Sequence, residues 1–171
     1  KAKNYVGTGK FKDASVIVTG GDSGIGRSIA TLFAREGAQV VFTHLPSEEI
    51  DAAETLRVLK EEGVKAVSME GDLKQVHFCQ EVVDFMVKEF GKVDVLVNNA
   101  AFQHHVADIE DLSLEQWDKT FKTNIYTYFY MAKLCIPHMP EGSSILNIGS
   151  VTALEGSGGL LDYSATKGAI H

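Results

Sequence analysis

Cysteine is scarce: the 171 residues include two, Cys79 and Cys135, each inside an apolar stretch without pairing or metal-ligand spacing. A disulfide scaffold and a cysteine-based metal module are thereby excluded, and buried thiols in a reducing compartment are expected. Basic charge is also short. Sixteen Lys and Arg against 23 Asp and Glu leave a formal net charge of −7, and the cations are scattered rather than gathered in a stripe. This argues against a nucleic-acid partner and an anionic membrane surface, so an anionic ligand has to be held by some local device. No apolar run approaches the roughly 20 residues of a membrane span, and the Lys-rich start from Lys1 to Lys12 leads into no signal-peptide apolar region. Repeats, low-complexity tracts and interdomain linkers are lacking too. What is present is ordinary globular composition, 44% hydrophobic and 23% charged, with length for one buried core. A single cytoplasmic domain over 1–171 is expected. The chain starts without methionine and stops at His171, a few residues into an expected helix, so it reads as incomplete at its C-terminus.

Short β-branched runs alternate with longer amphipathic stretches. Ser15 to Thr19 is a strand, followed by Ile25, Ile29, Leu32 and Phe33 at helical spacing. Gln39 to Thr43 precedes a polar helix starting near Ser47 and Glu48. Lys65 to Met69 precedes Val76, Cys79, Val83, Met86 and Phe90. Val93 to Val97 is a fourth strand, a long helix is expected from about Leu114 to His138, Ser144 to Ile148 is a fifth strand, and a last helix begins near Asp162. Five strands that read as buried on both faces, joined by helices and never by hairpins, predict an α/β fold: a Rossmann-like, doubly wound parallel sheet in three α/β/α layers. In such sheets ligands bind beyond the carboxyl ends of the strands.

Two motifs stand at those ends. Directly after the first strand comes Thr19-Gly20-Gly21-Asp22-Ser23-Gly24-Ile25-Gly26, opening into the first helix. Glycines allow a tight turn and close approach to a pyrophosphate, and the free N–H groups and positive dipole end of the helix favour negative charge. A plain tight connection would use the same residues, but the strand before and helix after favour dinucleotide binding. Near the end of the chain stands Tyr163-Ser164-Ala165-Thr166-Lys167, with Ser150 thirteen residues earlier. On a helix, residues four apart share a face, so the Lys167 ammonium would sit near the Tyr163 phenol. A nearby positive charge favours phenolate, which makes Tyr163 a usable general acid/base. Taken singly, a YxxxK pair arises often by chance and a serine after a strand is commonplace.

The glycine spacing is TGxxxGxG rather than GxGxxG, and there the sequence resembles the short-chain dehydrogenase/reductase family. The resemblance continues through Gly71-Asp72-Leu73, through Asn98-Asn99-Ala100-Ala101, with Ala101 where the family has glycine, and through Asn124, Ser150, Tyr163 and Lys167 in the family's order. It implies that Gly20, Gly24 and Gly26 shape the cofactor turn, that Ser23, Ile25, Leu73, Asn99 and Ala100 line the cofactor, and that Asp72 lies near the adenine amino group. An alternative for Asp72 is a helix N-cap. By the same resemblance Tyr163 exchanges a proton with the substrate oxygen, Ser150 hydrogen-bonds that oxygen, Lys167 also holds the nicotinamide ribose, and Asn124 anchors a water in a proton relay. The implied enzyme is an NAD(P)-dependent short-chain dehydrogenase/reductase, moving hydride between nicotinamide and a carbonyl or alcohol. A homotetramer or homodimer is implied for the parent protein, with later strands, a substrate loop and the usual interface helices beyond His171.

Family members that prefer NAD place an acidic residue at the end of the second strand, where this chain has His44. A carboxylate there would repel a 2′-phosphate; its absence permits NADP, and His44 could donate a hydrogen bond to that phosphate. Against that, no Arg or Lys follows, and the turn carries Asp22 and Ser23 where many NADP-using family members have a basic residue; NADP is favoured over NAD on the missing carboxylate alone. The segment Thr43 to Glu49 and the approach Leu161-Asp162-Tyr163 resemble the glucose/ribitol dehydrogenase-like, general-stress branch, which implies aldehydes, sugars or polyols as substrates. Gln103, His104 and His105 read as a solvated loop. Adjacent histidines lack the i, i+4 spacing of a metal pair, and no metal is expected. The rival readings are a dinucleotide-binding protein that has lost its chemistry and a truncated chain that forms little more than a folded core.

Overall fold

A computed structural model describes residues 5–171. Lys1 to Asn4, the beginning of the Lys-rich start, lie outside the described residues. The elements run β1 (Ser15–Val18), α1 (Gly24–Arg35), β2 (Gln39–His44), α2 (Glu49–Glu61), β3 (Ala66–Glu70), α3 (Val76–Phe90), β4 (Val95–Asn98), α4 (Leu114–Phe121), α5 (Thr127–Cys135), β5 (Ser144–Asn147), α6 (Thr152–Glu155) and α7 (Leu161–Ile170). All strand pairings are parallel, in the order β3-β2-β1-β4-β5. The chain therefore winds outward from β1 to β3, then crosses back to β4 on the other side of β1. Between β1 and β4 lies the switch point at which a doubly wound sheet opens a crevice.

Alternation along the strands builds the three layers. Val16 and Val18 of β1, Val40 and Phe42 of β2, and Val95 and Val97 of β4 point to one face, where Ala30 and Ala34 of α1 and Ala52 and Leu59 of α2 cover them. Ile17, Val41 and Leu96 point to the other face, against Phe78, Cys79, Val82, Val83 and Met86 of α3 and Met131 and Cys135 of α5. Each such fully buried branched side chain contributes roughly 1.5–3 kcal/mol by leaving water. Small residues on α1 let that helix lie close to the sheet, while α3 brings larger ones. Both cysteines are free and buried. Burial pushes the Cys79 thiol up to about 11 and the Cys135 thiol up to about 12, so neither is a nucleophile at neutral pH.

Three expectations need correction. The five strands are not all buried on both faces: every residue of β5 is exposed, because it is an edge strand paired only with β4. The long helix expected from Leu114 to His138 is interrupted by a π turn, Lys122–Tyr126, between α4 and α5, and ends in a tight 3₁₀ turn at Ile136–His138. The helix expected near Ser47 and Glu48 begins at Glu49, after a 3₁₀ turn over Pro46–Glu48. There the Leu45 N–H donates to a Glu48 carboxylate oxygen at 2.9 Å.

Preceding β1, residues 5–13 are strapped onto the end of α1 by Glu36. Its buried carboxylate accepts the N–H groups of Thr8 (3.0 Å) and Lys10 (2.9 Å) and the Tyr5 hydroxyl, while Phe11 packs edge-on against Phe33.

Candidate functional site

The carboxyl ends of β1 to β4 converge on a cleft of about 400 Å³. Ten of the residues expected to hold a dinucleotide line it: Gly20, Ser23, Gly24, Ile25, Gly26, His44, Asp72, Leu73, Asn99 and Ala100. Gly20 and Gly24 have φ of 60° and 51°, a backbone region that disfavours side chains. Gly26 is needed for another reason. A Cβ there would stand 2.1 Å from the Gly20 carbonyl oxygen and 2.6 Å from Asn99 Nδ2, so only glycine lets α1 sit this close to the turn.

The turn is braced from every side. The Gly20 N–H donates to the Thr43 hydroxyl at 3.2 Å and the Gly21 N–H to the Thr43 carbonyl at 3.1 Å, tying it to β2. Asn99 Nδ2 donates to the carbonyls of Thr19 (2.9 Å) and Gly20 (2.8 Å), and the Thr19 hydroxyl accepts the Asn99 and Ala100 N–H groups. From outside, the Asp22 carbonyl takes hydrogen bonds from the Arg27 guanidinium and the Thr55 hydroxyl, and Arg27 continues to Asp51. Ser23, the N-cap of α1, makes no side-chain cap. The dipole end of α1 thus faces the cleft without a side chain covering it. Sequence spacing had flagged the glycines. It carried no signal for Arg27, Thr43 or Thr55, whose partners lie on other elements.

Asp72 is not the N-cap of α3, a place taken by Gln75; its carboxylate accepts the Lys74 N–H at 2.9 Å and pairs with Lys74 Nζ at 3.1 Å. His44 is buried at the end of β2, its Nδ1 3.0 Å from the Leu45 carbonyl and its Nε2 3.7 Å from a Glu49 oxygen. One ring nitrogen is thus engaged by the Leu45 carbonyl while the residue borders the cleft. Asn98 donates to the Asn147 side chain at 3.0 Å, stitching β4 to β5.

The other four expected residues stand outside that cleft. Asn124 lies within the π turn, fully buried. Its Oδ1 accepts the Phe102 N–H at 2.7 Å and its Nδ2 donates to the Phe102 carbonyl (2.9 Å) and the Thr166 hydroxyl (3.0 Å). A π turn widens the helix by one residue, and Thr127 N–H reaches back to the Lys122 carbonyl; such turns concentrate at functional sites. Ser150 borders a separate hollow with Gly149, Val151, Leu154 and His171, and its hydroxyl accepts from Thr152. On α7, the Lys167 ammonium sits 5.5 Å from the centre of the Tyr163 ring, as residues four apart on one helix face require. It donates to the Ile148 carbonyl at 2.7 Å and to the Tyr128 hydroxyl at 3.4 Å, and burial pushes it down to about 8. The Tyr163 hydroxyl has no hydrogen-bond partner among the described residues.

Two neighbours escaped the sequence reading as site residues. Tyr128, whose phenol burial pushes upward, stands beside Lys167 with its hydroxyl 3.5 Å from the Ile148 carbonyl. Asp162 is buried immediately before Tyr163: it accepts the Tyr163 N–H at 2.9 Å, the Thr120 hydroxyl at 2.6 Å and the Gln116 amide at 3.1 Å, fixing the start of α7 against α4. Gln116 also donates to the His104 carbonyl at 3.2 Å. His104 and His105 are exposed, as expected of a solvated loop, although the His105 ring packs on Gly159.

A sequence model of the short chain dehydrogenase family matches residues 14–171. The chain is similar to a glucose and ribitol dehydrogenase from Daucus carota, 45% identical over 172 residues, covering 98% of this chain and 59% of the relative, and to an NADPH-dependent aldehyde reductase 1, chloroplastic, from Arabidopsis thaliana, 44% identical over 174 residues, covering 99% and 60%. A Burkholderia cenocepacia short chain dehydrogenase solved in complex with NADP superposes with a TM-score of 0.89 at 30% identity, over 94% of this chain and 65% of that one. The chain thus spans a little under two thirds of the length of these relatives.

Proposed function

The chain belongs to the short-chain dehydrogenase family, in its glucose/ribitol dehydrogenase-like branch, and from that premise we propose that it takes part in NADP-dependent reduction of aldehydes or oxidation of sugars and polyols. The observation that carries the reading is the braced glycine turn, with the uncapped end of α1 and the Gly26 contact, at the switch point of the sheet. That cradle fits a pyrophosphate. Gly20, Ser23, Gly24, Ile25 and Gly26 would hold the phosphates, Asp72 and Leu73 the adenine end, and Asn99 and Ala100 the middle of the molecule. When bound, the nicotinamide supplies or accepts the hydride.

The protein's own part is proton transfer and orientation. Tyr163 gives a proton to the substrate oxygen, or takes one from it, and Ser150 hydrogen-bonds that oxygen. Lys167 lies beside Tyr163 with its charge held by the Ile148 carbonyl, leaving N–H donors for the nicotinamide ribose. Asn124 holds the Phe102 segment through both backbone groups, and with the π turn it positions the water of a proton relay. NADP is favoured because β2 ends in His44 rather than a carboxylate, and the Arabidopsis and Burkholderia proteins are an NADPH-dependent reductase and an NADP complex. An NAD reading draws support from Glu48, a carboxylate lining the cleft beside His44 and Leu45. Among the described residues no helix is long and apolar enough to cross a membrane. The buried free thiols Cys79 and Cys135 support a reducing compartment such as the cytoplasm, and we propose a homo-oligomer. Exposed Tyr126, Phe129 and Ile136 along α5 and its flanks support self-association.

The test is turnover of aldehydes, sugars and polyols with NADPH or NADP, in the longest polypeptide that carries this sequence. Tyr163→Phe lowers kcat by about 10²–10⁴-fold, the usual worth of a positioned general acid/base, and leaves nucleotide affinity within a few-fold. A phenylalanine variant as active as the wild type would remove Tyr163 from this role.

A further inference from the structure

We propose that His44, Glu49 and Glu70 form a binding site for a divalent first-row transition cation at the ends of β2 and β3. His44, the last residue of β2, stands in register with Glu70, the last of β3, and Glu49 is the first residue of α2. The His44 side chain is 2% exposed. Because a carbonyl oxygen only accepts, the 3.0 Å contact to Leu45 places the ring proton on Nδ1. Nε2 is then the ring atom left to face the two glutamates, and without a proton it offers them a lone pair to share with a metal. That is the tautomer of metal-binding histidines, whose second ring nitrogen donates to a carbonyl or carboxylate and fixes the ring's orientation.

Carboxylate oxygens, and no hydrogen-bond donor, face Nε2. Nε2 makes no hydrogen bond; the nearest polar group is the Glu49 carboxylate at 3.7 Å, and a Glu70 oxygen completes a trio of ligand atoms all within 4.8 Å of one another. Three electron-rich atoms pointing at one volume are stable together when a cation lies between them. Neither carboxylate is taken elsewhere: among the described residues Glu70 has no ion-pair or hydrogen-bond partner and Glu49 has only His44.

Metal bonds of 2.0–2.2 Å put tetrahedral ligands roughly 3.3–3.6 Å apart, so the trio must close by about 1 Å. The two glutamates can do this, since Glu49 is 64% exposed and Glu70 is also exposed, while His44 stays fixed by its burial and its bond to Leu45. One imidazole and two carboxylates suit Zn²⁺ or Mn²⁺ and leave a coordination position for water. The expectation of no metal had rested on the His104–His105 pair, which this site does not involve. The cluster also stands independently of the nucleotide reading, because it is tested without nucleotide.

Calorimetric titration of ZnCl₂ into chelator-treated protein at neutral pH decides the matter, on the wild type and on His44→Ala, Glu49→Gln and Glu70→Gln. The exposed glutamate variants keep the fold even if His44→Ala does not. The expected result is one saturable site per chain, at least ten-fold weaker in each glutamine variant and lost in folded His44→Ala. Absence of saturable binding, or binding whose affinity is unchanged in both glutamine variants, as surface histidines such as His104 and His105 would give, overturns the proposal.

Discussion

The end of the molecule proposed to hold a nucleotide and the end proposed to carry catalysis are built in opposite ways. Around the glycine turn, main-chain groups are held by Thr43, Asn99, Arg27 and Thr55 from four different elements, and the cleft takes its shape from backbone. Around Tyr163 the backbone is an ordinary helix, and side chains do the holding: Asp162 to Thr120 and Gln116, Asn124 to Thr166. β5, which leads to Ser150, is exposed along its length, whereas β1 and β4 are buried. The difference teaches where each end is vulnerable. A backbone cradle fails when a single Cβ is added, and a side-chain lattice fails when a buried polar group is removed.

The largest effect on stability is expected from Asp162→Ala. It leaves the Thr120 hydroxyl and one Gln116 donor without their acceptor in a buried place, costing about 2–4 kcal/mol in chemical denaturation. Nucleotide affinity should change less than three-fold, and a large loss would show that the two ends are not separable. Next is Gly26→Ala, whose added carbon forces α1 away from Gly20 and Asn99 at a cost of about 1–3 kcal/mol. Here nucleotide affinity should fall by ten-fold or more, and unchanged binding would mean that the close approach of α1 has no part in holding phosphate.

A smaller effect separates Lys167 from both. Burial lowers its folded-state value to about 8 from the 10.5 of an exposed lysine, so the unfolded chain binds the proton more tightly. The destabilisation is fully present below pH 8 and is relieved as pH rises from 8 towards 10.5. In the absence of nucleotide, Lys167→Met should remove a rise of about 2 kcal/mol across that window, below the roughly 3 kcal/mol ceiling set by the full lowering from 10.5 to about 8. A variant with the same pH slope as the wild type would mean that the ammonium is better solvated than its surroundings indicate.

What could be read in the sequence follows from the same contrast. The strands, their parallel arrangement and the glycine turn were legible because alternation and glycine spacing are local, and Gly20 to Gly26 carry their backbone requirement with them. Tyr163 and Lys167 were legible as a pair for the same reason, being one helical turn apart. The π turn at Asn124 was not, and the side chain it carries binds Phe102, 22 residues away, a partner that no local spacing indicates. The brace from Asp162 to Thr120 spans 42 residues and the Arg27 contact to Thr55 spans 28. His44 was read correctly as the residue ending the second strand, but its orientation towards Leu45 and Glu49 rests on the start of α2, which no spacing rule supplied. The exposure of β5 likewise reflects its position at the sheet edge and not its Ser-Ile-Leu-Asn composition.

The most direct test of the central claim, that this fold is a dinucleotide cradle, is calorimetric titration of the protein with NADPH and NADH in parallel. Saturable binding at one site per chain, tighter for NADPH and weakened in Gly26→Ala, is the predicted result. A folded protein that binds neither nucleotide would contradict it.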